Sequence, residues 1–184
     1  LKATGGLPRQ AVTAAHVQLP FEELARAVRG VGSVDVFVDR QDRLRSLPLA
    51  VRYQGRIFPS LALRVFLDVA GLEAEPLRLE VQQEKRYGLF NADKGGRLFI
   101  GKRRVGMDAQ GCAYVNLSAT GAYTPRSFAD VLRGTVPART FRDAVVIVGA
   151  ETPEQDVKTS TGTKGGIELV ADQLTGLYQL AGDE

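Results

Sequence analysis

The chain has 184 residues, 44% hydrophobic and 24% charged, which is enough for a real core and too apolar for a disordered polymer. Its 24 Lys and Arg against 21 Asp and Glu leave a net charge of only +3, spread along the chain, so no extended basic face for nucleic acid is expected. The single cysteine, Cys112, rules out an internal disulfide, and the single histidine, His16, has no Cys or Asp partners at the spacing of a zinc site or a nucleophile pair.

The opening LKATGGLPRQ lacks the apolar centre of a signal peptide, and no segment reaches the roughly 18 to 20 apolar residues of a membrane helix. Leu rather than Met stands first, so the sequence reads as a piece of something longer. Residues 21–29 predict a helix: Phe21, Leu24, Ala25 and Val28 share one face, Pro20 precedes them and Gly30 ends the run. Val34, Val36 and Val38 then alternate, as do Leu47, Leu49, Val51 and Tyr53, predicting an antiparallel pair around the polar turn DRQDRLRS. Gln54-Gly55 turns the chain again. Residues 60–70 are apolar almost all round, with Ser60 to cap and Gly71 to close a buried helix.

Two or three strands are expected across residues 76–105, where LRLEV and RLFI alternate, with turn chemistry at residues 93–96. Lys102-Arg103-Arg104 reads as a solvated hairpin tip. A turn at residues 107–111 leads to a strand at 113–117, in which Cys112 and its neighbours predict a small buried thiol. Ser127 with Asp130 resembles a capping box for a short helix ending at Gly134. Ala144 to Val148 is a continuous β-branched run, the pattern of a central strand covered on both faces. The last helix has the clearest period, with Ile167, Val170, Ala171, Leu174, Leu177, Tyr178 and Ala181 on one face; Glu168 and Asp172 oppose the positive end of its dipole. The expected fold is α/β with α+β character, one domain over residues 1–184: a central mixed sheet with antiparallel hairpins and packed helices.

No catalytic motif stands out. VVIVGA is followed by neither a G-x-G-x-x-G nor a phosphate loop, and there is no G-x-S-x-G. Asp39 and Asp42 flank a turn but lack the further oxygen donors of a calcium loop, and the Arg residues beside them suggest ion pairs instead. The loop at residues 151–164 carries Asp156, Thr159, Ser160, Thr161 and Thr163 and runs into Gly165-Gly166. Such hydroxyls and free amides at a helix start either hold an anion or cap the helix and one another.

Three blocks together resemble one family. The first is VGSVDVFVDRQDRLRSLPLAVRYQGRIFPSLALRVF, with Gly32, Asp39, Asp42, Arg45, Pro48, Leu49, Tyr53, Gly55 and the Pro-Ser-Leu-Ala-Leu of residues 59–63. The second contains Asp108, Gly111, Asn116, Ser127, Asp130, Val131, Leu132 and Gly134. The third contains Phe141, the apolar run, Gly149, Asp156, Thr159, Gly166, Ile167, Glu168 and Ala171. In order and spacing they resemble the C-terminal two-thirds of a CHASE domain of the second type, over about residues 7–180. Departures are Ser160 in place of a Pro, Val170-Ala171-Asp172 in place of His-Ala-Asn, and Arg43 in place of a Gly. The family's upstream Asp-rich opening, Trp-Pro-x-x-Arg stretch and first strand–helix unit have no counterpart in the sequence.

The resemblance implies an extracytoplasmic, periplasmic sensory domain of a bacterial transmembrane receptor whose output is a cyclase, a histidine kinase or a Ser/Thr kinase. It implies no enzymatic activity of the domain itself, no cofactor and no metal. The ligand would be a small molecule or a protein, received at Asp156, Thr159, Gly165, Gly166, Glu168 and Asn116, and a homodimer is an expected partner arrangement. A dimerisation domain without a small-molecule ligand is the alternative; a cytoplasmic nucleotide-binding enzyme is a third reading that lacks its glycine-rich loop.

Overall fold

The computed structural model describes residues 3–38, 43–72, 77–86, 90–119, 121–150, 152 and 156–182. Its main sheet has four strands in the order β1 (Ala3–Gly5), β5 (Leu77–Arg86), β6 (Phe90–Ile100) and β7 (Arg103–Met107). β1 runs parallel to β5, and the other two pairings are antiparallel. The alternation in LRLEV and RLFI is the reason for this sheet. Leu77 and Leu79, Leu98 and Ile100, and Val105 and Met107 all fall on one face and are buried. Register sets Leu79 against Leu98 and Leu98 against Val105, so the buried side chains form a row across three strands. On the opposite face Arg78 lies directly across from Phe99, its guanidinium 4.3 Å from the ring centroid, and pairs with Glu80 at 3.1 Å. One face dry and one wet is what strict alternation dictates.

Two smaller hairpins and a bridge complete the strands. β3 (Ala50–Tyr53) and β4 (Arg56–Pro59) are joined by Gln54 and Gly55, both at positive φ (46° and 76°), the backbone that a two-residue turn between twisted strands requires. β2 (Ser46–Pro48) pairs with β8 (Cys112–Tyr114), and β9 (Val157–Thr159) with β10 (Gly162–Lys164). The Lys102-Arg103-Arg104 cluster does sit at a hairpin tip, with Gly101 and Lys102 turning β6 into β7.

Helix α2 (Leu61–Val69) follows the short exposed α1 (Glu22–Ala27) and covers the dry face of the sheet. Its ends behave as the sequence predicts. The Ser60 hydroxyl accepts the Leu63 amide at 3.2 Å. At the other end Leu72 N–H donates to Leu67 C=O (2.8 Å) and Gly71 N–H to Asp68 C=O (3.2 Å), with Gly71 at φ 67°, the closing pattern that glycine makes cheap. Ala62, Leu63, Phe66 and Leu67 are buried, whereas Val69 is exposed, so the helix has an outer face after all. α4 (Gly166–Gly182) packs beside α2, with Phe66 and Tyr178 edge to face at 5.1 Å and Leu174 and Leu177 in the same core. Between them, α3 (Phe128–Leu132) is a short helix with no buried residue.

Several expectations are corrected. Residues 34–38 form no ladder; Leu47 pairs with Ala113 and Val51 with Phe58 instead, leaving Val34, Phe37 and Val38 exposed. Alternation reports which way side chains point, not which strand accepts the backbone. Ala144 to Val148 is likewise no strand: it has no backbone hydrogen bond among the described residues, and Val145, Val146 and Val148 are exposed. The run instead lines a cavity of about 190 Å³ together with Leu61, Val65 and Val170. Residues 93–96 are not a turn but part of β6, where the register shifts opposite Gln82 and Gln83. Gly95 is needed there because a Cβ would meet Met107 C=O at 2.3 Å. The strand expected at residues 113–117 stops at Tyr114. Ser127 makes no capping hydrogen bond; Asp130 turns to Arg133 at 3.3 Å. The helix at residues 21–29 exists as α1 but buries none of its apolar face.

Candidate functional site

The polar loop reaches the start of α4 from two directions. Gly149 lies against the first turn of that helix, where a Cβ would sit 2.8 Å from the Ile167 side chain. Glu151 and residues 153–155 lie outside the described residues, as do Asp39 and Asp42. Asp156 is exposed just before β9. Because Val157 pairs with Lys164, Asp156 and Gly165 leave the hairpin side by side. Gly166 opens α4, Gly165 C=O accepts the Leu169 amide at 3.2 Å, and the half-buried Glu168 lies in the first turn. Asp156, Gly165, Gly166 and Glu168 are thus gathered round one helix start.

Thr159 stands at the hairpin tip and is committed to the turn. Its hydroxyl donates to Gly162 C=O at 2.6 Å and accepts the Thr161 amide at 3.2 Å. Asn116 lies elsewhere: its side-chain amide reaches Gln179 at 3.5 Å. Gln179 is eleven residues beyond Glu168, which places it about 16 Å further along the helix axis. The six residues singled out from sequence therefore do not form one cluster.

Sequence reasoning missed a cluster inside the molecule. The Lys164 ammonium lies 2.7 Å from one carboxylate oxygen of Asp172, and the two side chains are 0% and 1% exposed. The same ammonium donates to the Ser118 hydroxyl at 2.8 Å. Ser118 in turn donates to the other carboxylate oxygen at 2.5 Å, and its backbone amide points there too at 3.3 Å. The Tyr123 hydroxyl donates to that oxygen at 2.9 Å and lies 3.4 Å from Thr175. Three segments meet here: the end of β10, the stretch after β8, and α4.

The electrostatics follow from this packing. Burial alone would raise the Asp172 pKa; the hydrogen bonds from Lys164, Ser118 and Tyr123 outweigh it and hold the carboxyl below its ordinary 3.8. Burial, with the Asp172 carboxylate close by, pushes the Tyr123 phenol above its ordinary 10.0. A Ser beside a Lys is the layout of some nucleophiles. Here the Lys is buried and ion-paired to Asp172, and the half-buried Ser118 hydroxyl is itself engaged by both, so the arrangement ties segments together.

The readable signal was Asp172, one of the departures from the family pattern. Sequence alone reads it as an acid opposing the positive end of the α4 dipole, with no partner named. The buried arc of that helix in fact contains Leu169, Asp172, Gln173, Leu174 and Leu177, with Gln173 donating to Pro48 C=O at 2.8 Å. Cys112 is buried as expected, its thiol pushed up to about 12 by burial first and by Asp108 second. Asp108 itself accepts the Gln110 and Cys112 amides, each at 2.9 Å, so this residue of the second block shapes a turn.

Among the described residues no three His, Cys, Asp or Glu side chains gather as a metal site, and no helix is long and apolar enough to cross a membrane. Neither the curated proteins nor the solved structures contain a match. The family model described as the CHASE2 domain matches residues 5–183. Domains of that family are extracellular sensory modules of signalling receptors, not catalysts. With all but a few terminal residues matched, the chain belongs to the CHASE2 domain family.

Proposed function

We propose that the 184 residues form one periplasmic input unit of a bacterial inner-membrane receptor whose cytoplasmic output is a cyclase, a histidine kinase or a Ser/Thr kinase. The family match over residues 5–183 carries this reading. The placement of α4 supports it. One end of the helix receives the polar loop, and its flank packs on α2 in the core. A ligand held near Asp156, Gly165, Gly166 and Glu168 would act on the start of the helix, and a shift between two packings of the helix would be the transmitted signal. Thr159 supports such a site by shaping the hairpin tip; Asn116 is too far along the helix to share it.

The test is Asp156→Ala, alone and with Thr159→Ala, in the full-length receptor. The expected result is a lost or right-shifted response with unchanged receptor abundance. An unchanged response discards the loop as the receiving site. A dimerisation module with no small-molecule ligand is favoured by a different observation, the exposed Phe21 just before α1, Leu24 on α1, and Phe128 and Leu132 on α3. A dimer persisting at low concentration, with no thermal shift across a metabolite panel, selects that reading.

A further inference from the structure

The β9–β10 hairpin is anchored in an unusual way. From Asp156 to Thr163 no described residue is buried, and the ladder is three pairs long. Val157 is half-buried beside Leu44, Leu47 and Leu169, and Leu44 N–H donates to Lys158 C=O at 2.9 Å. Lys164 is the one fully buried residue of the hairpin, and what it grips is a charge on α4.

We infer that Lys164, Asp172, Ser118 and Tyr123 form a latch through which the hairpin and the first turns of α4 open and close as one unit. An apolar anchor could slide or swap neighbours. An ammonium in this position cannot leave without abandoning Asp172 unpaired in the interior, and Asp172 cannot turn away without abandoning Lys164. Ser118 sharpens the dependence, because its hydroxyl accepts from the ammonium and donates to the carboxylate at once. Movement of either element is therefore felt by the other, in both directions. The use of this coupling to carry a signal rests on the sensory reading above; the coupling itself does not.

Hydrogen exchange on this chain tests it, with amides of residues 157–163 and 167–175 followed separately. Lys164→Met and Asp172→Asn should each speed exchange in both segments by about tenfold or more. The double variant should fall well short of the product of the two. Ser118→Ala, a milder change expected to fold, should speed both segments by a few-fold. Acceleration confined to the mutated element, or effects that multiply in the double variant, overturns the latch. If exchange is coupled but a full-length receptor carrying Ser118→Ala responds as before, the latch stands and its use in signalling falls.

Discussion

The two halves of α4 are held by different physics. Toward its C-terminal end Leu174, Leu177 and Tyr178 lie against Phe66 and its neighbours on α2, an apolar contact that is non-directional and indifferent to pH. Toward its N-terminal end Leu169 also packs on Leu44 and Leu47, but there the helix is held in addition through Asp172 by Lys164, Ser118 and Tyr123, a contact that exists in one geometry and one protonation state. Apolar packing fixes where the helix lies. The charged cluster decides what else must move with it. If α4 transmits the signal as proposed, it has use for both: a firm seat, and a second attachment that a local event can release.

The comparison can be broken first at the apolar end. Phe66 is 2% exposed and closes the contact with Tyr178. Phe66→Ala should cost about 3–5 kcal/mol in urea unfolding, and the loss should be the same at pH 4 and pH 7. A pH-dependent loss would mean that the two ends are not separate.

The charged end should respond to acid where the apolar end does not. The folded-state pKa of Asp172 lies below its ordinary 3.8, so the unfolded chain binds this proton more readily. Its contribution is full above about pH 4 to 5 and disappears as pH falls through the lower folded value. Asp172→Asn should therefore flatten the acid limb of the stability curve relative to the parent. The Tyr123 shift has the opposite direction and acts at the other extreme, where its contribution is present below pH 10 and lost as pH rises further. An acid limb unchanged by Asp172→Asn would remove the electrostatic half of the account.

A smaller effect calibrates α2. Ser60→Ala removes the cap on Leu63 and should cost about 1 kcal/mol. The same change at Ser127, which makes no capping bond, should lie within about 0.5 kcal/mol of the parent. Equal losses at the two serines would show that the hydroxyl of Ser60 is not acting as a cap.

What could be read in advance follows the same division. The β5, β6 and β7 alternation, the two ends of α2 and the Gln54-Gly55 turn are local patterns, each set by residues within a few positions of one another. The failures were pairings. Val34, Val36 and Val38 alternate as well as Leu77, Leu79 and Val81 do, yet only the second set finds a ladder. Ala144 to Val148 has strand composition without strand neighbours. The Lys164 cluster is the extreme case. Ser118 and Tyr123 lie 54 and 49 residues from Asp172, so nothing local identifies them as partners. The period of α4 found Leu174 and Leu177 but not the buried Leu169, and it left Asp172 as a dipole-opposing acid, because a buried, ion-paired carboxylate is indistinguishable in sequence from a wet one.

The measurement that tests the central claim most directly is urea unfolding of Lys164→Met beside Lys164→Met/Asp172→Leu. The single change leaves a carboxylate buried without its cation and should cost about 3–5 kcal/mol. The double change leaves no buried charge and should recover most or all of that loss. A double variant as unstable as the single one would show that Lys164 contributes shape rather than charge, and the account of α4 as a helix held at one end by an ion pair would be wrong.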